Sequence, residues 1–369
     1  MSNRPPDPKN GIALSLFIVS CTKVSKEDSA LTVYPVNLEQ AEEIDFHNAV
    51  DSFFYVPLET ADSNLLGEIT QIKIDSMIAV ADERRGTLQT YSLEGKLLHV
   101  IDKVGTGPGE YVQLSDFALS SKDSCIDVLD GMQKKMISYN LDGTLRKEIK
   151  LPFPTGVSRF AKYKDWYVFD QQTRRNEPDW RYSLILLSKQ GEVVSKLFPY
   201  TRFADILLSP RCSFFMSEDT LNYLPVYCDT VFSLINEHEA VPRYRVDFAD
   251  KWVDMSYVYG EVKDPMKFIS GLQKCDFVCF LNILESDSTI WLDFMYKEDK
   301  YCCIINKSPL HISVYLNNEG TECGSILGSV LTVWNDFFVM PVNAELMARY
   351  FKLNNAADDN PYLLFVKFK

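Results

Sequence analysis

Three pairs of basic residues, Arg84-Arg85, Lys134-Lys135 and Arg174-Arg175, stand in a 369-residue chain whose formal net charge is −13. Their chemistry is anion capture: an arginine fork offers a carboxylate or sulfate two parallel hydrogen bonds, and a lysine adds a point charge. An exposed pair is worth little alone, so the dyads matter only if the fold gathers them on one rim. The competing reading is three solvated turns, because exposed loops are commonly charged. Glu110, in Gly105-Thr106-Gly107-Pro108-Gly109-Glu110-Tyr111, is the candidate that would orient such cations or accept hydrogen bonds from sugar hydroxyls. Trp180 and Tyr182 follow the third dyad. An aromatic platform beside cations suits stacking on a sugar ring, and packing within a strand explains the two residues equally well.

Other chemistries fail on spacing. A G-x-G-x-x-G fingerprint needs glycine where Glu110 stands, and no helical pattern follows Tyr111. The segment reads instead as a connection between strands, with Pro108 fixing one dihedral and Tyr111 packing into the adjoining sheet. His238-Glu239 meets Pro242 where a zinc protease needs histidine, and Gly95-Lys96 is followed by Leu97 rather than the hydroxyl of a phosphate loop. Cys275 and Cys279 lack a second pair at metal spacing. With histidine only at 47, 99, 238 and 311, general bases are few. No catalytic residue, metal ligand or cofactor is assigned, and carboxylate-based catalysis stays open without a sequence mark.

Hydrophobic residues make up 46% of the chain and charged residues 24%, which gives ample material for a core and no case for long disorder. The 51 acidic against 38 basic side chains argue against a nucleic-acid partner, which needs a basic surface to displace phosphate counterions. The 23 Phe and 19 Tyr favour β structure, since flat rings fill pleated, half-buried surfaces.

A repeat supplies the elements that would position the dyads. Residues 90–98, 139–145 and 187–194 share one hairpin shape, with turn glycines at 95, 143 and 191, an even interval of 48. That period suits a propeller blade of four strands (a to d, from the axis outward), and the span from Phe53 to Lys369 holds six with inserted loops. The fold class is therefore all-β, a six-bladed β-propeller of four-stranded antiparallel blades. A fourth hairpin with a longer turn is expected at 236–239. Ahead of each glycine hairpin runs an apolar b strand ending at an aspartate: 77–82, 125–130 and 166–170. Strand direction alternates, so b-to-c loops, which carry the dyads, share one face with d-to-a connections such as Gly105–Glu110. The glycine hairpins take the other. The folded part is read as beginning at Phe53–Glu59, which would join residues 362–369 in one blade and close the ring without free edges. Residues 343–352 form a short helix near the C-terminus, with Asn343 as its cap and Leu346/Tyr350 and Met347/Phe351 as apolar pairs.

The N-terminus carries an address. Gly11–Ser20 is an uncharged, mostly apolar run preceded by Arg4 and Lys9, and it is far shorter than the ~20 residues of a spanning helix. It ends Ile18-Val19-Ser20-Cys21, with a branched apolar residue at −3 and a small one at −1, the pattern of a lipoprotein signal. Residues 1–20 are read as signal peptide, Cys21 as the lipid attachment site and 21–30 as a polar tether, leaving 31–369 for the propeller. The alternative is a buried N-terminal strand with a structural cysteine. The other eight cysteines show no small-scaffold framework, and most are expected to be free core residues.

The GTGPGEY segment at 105–111, Asp229-Thr230-Val231-Phe232, the opening Val56-Pro57-Leu58-Glu59-Thr60 and the ending Asp359-Asn360-Pro361-Tyr362-Leu363-Leu364 resemble the six-bladed β-propeller lipoproteins of Bacteroidetes-type bacteria. The resemblance implies an outer-membrane lipoprotein, periplasmic or surface-facing, held to the membrane by its lipid. It supplies no catalytic residues, since most members lack an established activity. The preferred function is a binding or interaction module for glycans, other anionic ligands or an envelope protein. The alternative is a propeller hydrolase or lyase, in which carboxylates at the axial channel hold a metal, as in lactonases. A lactonase-like centre needs several Asp, Glu or Asn side chains converging at the channel mouth; a binding module shows a broad groove.

Overall fold

The computed structural model describes Leu31–Lys369 except residues 62–63, 155, 172–177, 201, 203, 260–261, 319 and 354–358. Six antiparallel sheets form a propeller ring. Blade 1 runs Gln71–Ile74, Ile78–Asp82, Thr87–Tyr91 and Leu97–Asp102; blade 2 runs Asp116–Ser120, Cys125–Asp130, Lys135–Asn140 and Leu145–Lys150. Blade 3 runs Arg159–Tyr163, Trp166–Asp170, Tyr182–Ser188 and Val193–Pro199. Blade 4 comprises Phe214–Ser217, Thr220–Tyr223, Thr230–Asn236 and Glu239–Asp247, and blade 5 Cys279–Glu285, Thr289–Tyr296, Asp299–Lys307 and Leu310–Leu316. Blade 6 takes Thr332–Trp334, Phe337–Val342 and Tyr362–Phe368 from the end of the chain, and Val50–Pro57 from its beginning as the outermost strand.

Each blade is packed between two others, which explains why the b strands are apolar on both faces. In Ile78–Asp82 every residue is buried; Ile78 and Val80 enter the core shared with blade 6, while Ala79 and Ala81 enter that shared with blade 2. The two-residue period of a strand thus serves two cores at once. Outer strands behave differently: Leu145–Lys150 is exposed at five of its six positions.

The three glycines have positive φ, +86° at 95, +79° at 143 and +87° at 191, as the turns require. Their hairpins leave by the strand ends opposite to Gly105–Glu110, as alternation demands. They also lean on the preceding blade. A Cβ on Gly95 would lie 2.0 Å from the Pro57 carbonyl oxygen, one on Gly143 3.2 Å from Ile101, and one on Gly191 3.4 Å from the Lys150 carbonyl. The fourth hairpin differs from expectation: Asn236 pairs directly with Glu239, so its turn is shorter than the glycine turns.

The folded part begins earlier than Phe53. Thr32–Pro35 adds to blade 4 as a fifth, parallel strand and Glu42–Glu43 does the same on blade 5. The helix Phe46–Ala49 then leads into the closing strand. Such strands need two to four residues and no periodic pattern, so sequence periodicity misses them.

Turns at the a–b and c–d ends span two to five residues, whereas the opposite ends carry connections as long as 248–278. Four of the five α-helices among the described residues sit in these long connections. The helix Ala344–Phe351 follows its cap, with the Asn343 side chain accepting from Leu346 N at 2.7 Å and Lys352 left-handed at its end. The longer helix Pro265–Lys274 was not anticipated, although Asp264 caps it and Pro265 opens it.

Candidate functional site

The aspartates that end the b strands show how the loop face is held. Asp82 Oδ2 accepts from Gly67 N at 2.7 Å and Glu68 N at 3.2 Å, while its Oδ1 accepts from Arg85 N at 3.0 Å. Asp130 accepts from Val112 N at 2.6 Å and Gln133 N at 2.8 Å. Each carboxylate therefore ties a d–a connection to a b–c turn through backbone amides. Asp170, the third member, accepts from the side chains Ser213 Oγ at 2.8 Å and Tyr223 OH at 3.0 Å. It lines a cavity.

That cavity, of 110 Å³, lies where blades 3 and 4 meet on the loop face. Its floor holds Asp170 and Gln171, which are 1% and 2% exposed. Gln171 Nε2 donates to Trp180 O at 3.0 Å, while its Oε1 is a buried acceptor with no hydrogen-bond partner among the described residues. The walls are aromatic: Tyr200, Tyr227 and Tyr259 come from inserted connections, and Tyr223 from blade 4. Tyr227 OH donates to Ile206 O at 2.7 Å, and burial pushes its phenol up to about 12. Arg202 stands exposed at the lip, its guanidinium carbon 5.7 Å from the Tyr259 ring centre. The chemistry runs from acceptors on the floor, through ring faces, to one cation at the entrance.

The dyads fare unequally. Arg84 is exposed in its b–c loop with no polar partner among the described residues. Arg85 is spoken for, its Nη1 donating to Leu65 O and its Nε standing 3.9 Å from Asp82. Lys134 is half-buried at φ +54°, and its carbonyl accepts from Leu151 N. Lys135 lies in a strand rather than a loop; it is 6% exposed and pairs with Glu148 at 3.4 Å, so it is withdrawn from the surface. Glu110 turns inward to accept from Gly107 N at 2.8 Å and so braces its own loop. Arg174, Arg175 and Cys21 lie outside the described residues. Tyr111 is fully buried, its hydroxyl reaching Gly86 O at 2.7 Å and Ile101 O at 3.1 Å. Trp180 packs against Phe153, with Lys196 Nζ 4.4 Å from its ring centre. The aromatic walls of the cavity come from other residues, Tyr200, Tyr227 and Tyr259 in connections and Tyr223 in blade 4.

At the axial mouth the lining includes Gln71, Lys73, Asp116, Arg159 and Arg211. Asp116 accepts from Phe117 N at 2.8 Å and Phe160 N at 2.9 Å, and no group of three potential metal ligands occurs among the described residues. The eight described cysteines are unpaired, four of them buried and four half-buried. Burial pushes the thiols of Cys228 and Cys279 up to about 12, so they behave as small core residues.

The fold has known counterparts. A crystal structure from Bacteroides fragilis, which bears the provisional name of an exported protein, superposes with a TM-score of 0.77 at 17% identity, covering 92% of this chain and 100% of that one. A member of the DUF4221 family from Bacteroides vulgatus gives 0.56 at 12% identity, covering 87% and 97%. At such identities the likeness speaks to the fold alone. No curated protein matches the chain. A family model, by contrast, matches residues 31–368, nearly the whole described unit: the chain belongs to the family of the domain of unknown function DUF4934.

Proposed function

We propose that this protein is an exported, lipid-anchored binding module whose ligand is an acidic glycan seated between blades 3 and 4. The observation that carries the reading is the polarity of that cavity. The Gln171 acceptor on the floor needs a donor, which a sugar hydroxyl supplies, and Arg202 at the lip needs an anion. A uronic or sulfated sugar carries both, and its ring has faces for Tyr227 and Tyr259. The exposed Arg84, without a polar partner among the described residues, offers a further cation for a longer chain. The pattern at 18–21 supports lipid attachment at Cys21, the family resemblance supports the outer membrane, and the name of the similar Bacteroides fragilis protein agrees with export.

A glycan array probed with the full chain at low and moderate salt tests the ligand. Acidic glycans should be retained over neutral ones, more weakly as salt rises, and Tyr259→Ala should abolish retention. Equal retention of neutral glycans, or indifference to Tyr259→Ala, refutes the assignment. Cys21→Ala should move the protein from the membrane fraction to the soluble one; unchanged fractionation refutes the anchor.

A further inference from the structure

We infer that the axial channel is a second binding site, independent of the first, for an amphipathic anion whose charged head sits at the loop-side mouth and whose apolar tail enters the lumen. The lining of the mouth carries three cations, Lys73, Arg159 and Arg211, against the one acid Asp116, and the two arginines are paired with Glu83 and Asp293. Asp293 is 4% exposed on its side chain and takes Arg211 Nη2 at 2.6 Å and Asn282 Nδ2 at 2.9 Å. Glu83 takes Gln71 Nε2 at 2.7 Å, and Asp116 is held by two backbone amides. The Lys73 ammonium, by contrast, has no hydrogen bond or ion pair among the described residues, where Arg211 Nε and Gln71 Oε1 are also buried without partners. Arg159 spends Nη1 on Ser115 O at 2.7 Å and Ser158 O at 3.1 Å, and stands 3.9 Å from Glu83.

Below the mouth, and sharing Lys73, Phe160, Cys212 and Phe214 with it, lies a lumen of 290 Å³. Its walls include Ile74, Leu119, Ala161, Phe214, Met216 and Val333. The two charges at its deeper level are neutralised in place: Lys162 by Asp123 at 2.7 Å and Asp127 at 3.0 Å, and Glu285 by Arg243 at 2.7 Å and Lys307 at 2.6 Å. One unpaired ammonium above a bore whose polar groups are interleaved with apolar side chains suits a ligand with one anionic end. Each methylene that leaves water there improves affinity roughly fourfold.

Titration calorimetry of the full chain with octanoate, octanol and acetate separates head from tail. Octanoate should bind at least tenfold more tightly than either of the others. Lys73→Met should lower octanoate affinity about tenfold and leave octanol unchanged. Met216→Gln, at a half-exposed lumen residue, should weaken octanoate and octanol alike, and Arg202→Gln should change neither. Acetate binding as tightly as octanoate, octanol matching octanoate, or indifference to Lys73→Met would each overturn the inference and leave a solvent-filled channel. Because Lys73 has no partner to strand, its replacement should leave the melting curve unchanged.

Discussion

Blades 1 to 3 and blades 4 to 6 share one four-stranded unit and differ in what is added to it. The first three have the glycine hairpin and bare outer strands. The last three are joined by a strap: residues from Thr32 to Pro57 add parallel strands to the outer edges of blades 4 and 5 and supply the outermost, antiparallel strand of blade 6. Strand edges invite pairing with other chains, and the strap covers two of them, on blades 4 and 5. The long connections 200–213, 248–278 and 343–361 gather on the same side of the ring. The cavity sits at the boundary, where a regular blade meets an elaborated one. Regularity gives a stiff frame, and departures from it create sites.

The comparison breaks first at the strap. Phe46 is 1% exposed and its ring meets Phe53 at 5.1 Å, Tyr350 at 5.6 Å and Phe351 at 5.8 Å. Phe46→Ala should therefore cost about 3–5 kcal/mol in urea unfolding. A loss below about 1 kcal/mol would mean that the strap decorates the ring without holding it.

Within the regular half, the glycine hairpins should rank by their clearance from the preceding blade. Gly95→Ala, with 2.0 Å to the Pro57 carbonyl, should destabilise by about 3 kcal/mol. Gly191→Ala, with 3.4 Å to spare, should cost about 1 kcal/mol for the left-handed backbone alone. Equal losses at the two positions would show that turn conformation, rather than the contact between blades, sets the cost.

A smaller effect tests the short-turn side of the elaborated half. Asp336 takes Lys367 Nζ at 2.7 Å and Ser288 Oγ at 2.9 Å, joining blades 5 and 6. Burial pushes its carboxyl up, but Lys367, Ser286 and Ser288 outweigh that and hold it at about 2. Its folded value lies below its unfolded one. The stability it contributes is thus present above about pH 4 and lost as pH falls toward 2. Asp336→Asn should lower stability at pH 7 and flatten the acid limb of the stability curve; an unchanged acid limb would refute the assignment.

The two halves were also unequally legible. In blades 2 and 3 the b strands Cys125–Asp130 and Trp166–Asp170 match their expected bounds to the residue, because apolar runs bounded by turn residues carry their own limits. The closing pair, Val50–Pro57 with Tyr362–Phe368, was readable for the same reason. The strap was not, since two or four residues pairing in parallel with an edge leave no period. The Asp264-Pro265 signal of the longest helix was present in the sequence and was passed over for want of a repeat to anchor it. As for the site, Asp170 was visible as a repeat position. Its side-chain partners Ser213 and Tyr223 lie more than forty residues away, and the cavity walls Tyr200, Tyr227 and Tyr259 come from connections with no periodic mark. Charge spacing alone could not tell the exposed Arg84 from the buried Lys135.

The central claim is that the meeting of blades 3 and 4 on the loop face recognises an acidic sugar. The most direct measurement is calorimetric titration of a sulfated oligosaccharide and its desulfated form against the full chain and its Arg202→Gln variant. The account predicts that the sulfated form binds the native chain at least tenfold more tightly. The same preference should collapse in Arg202→Gln while the desulfated form binds as before. A sulfate preference that survives the substitution, or none in the native chain, would contradict it.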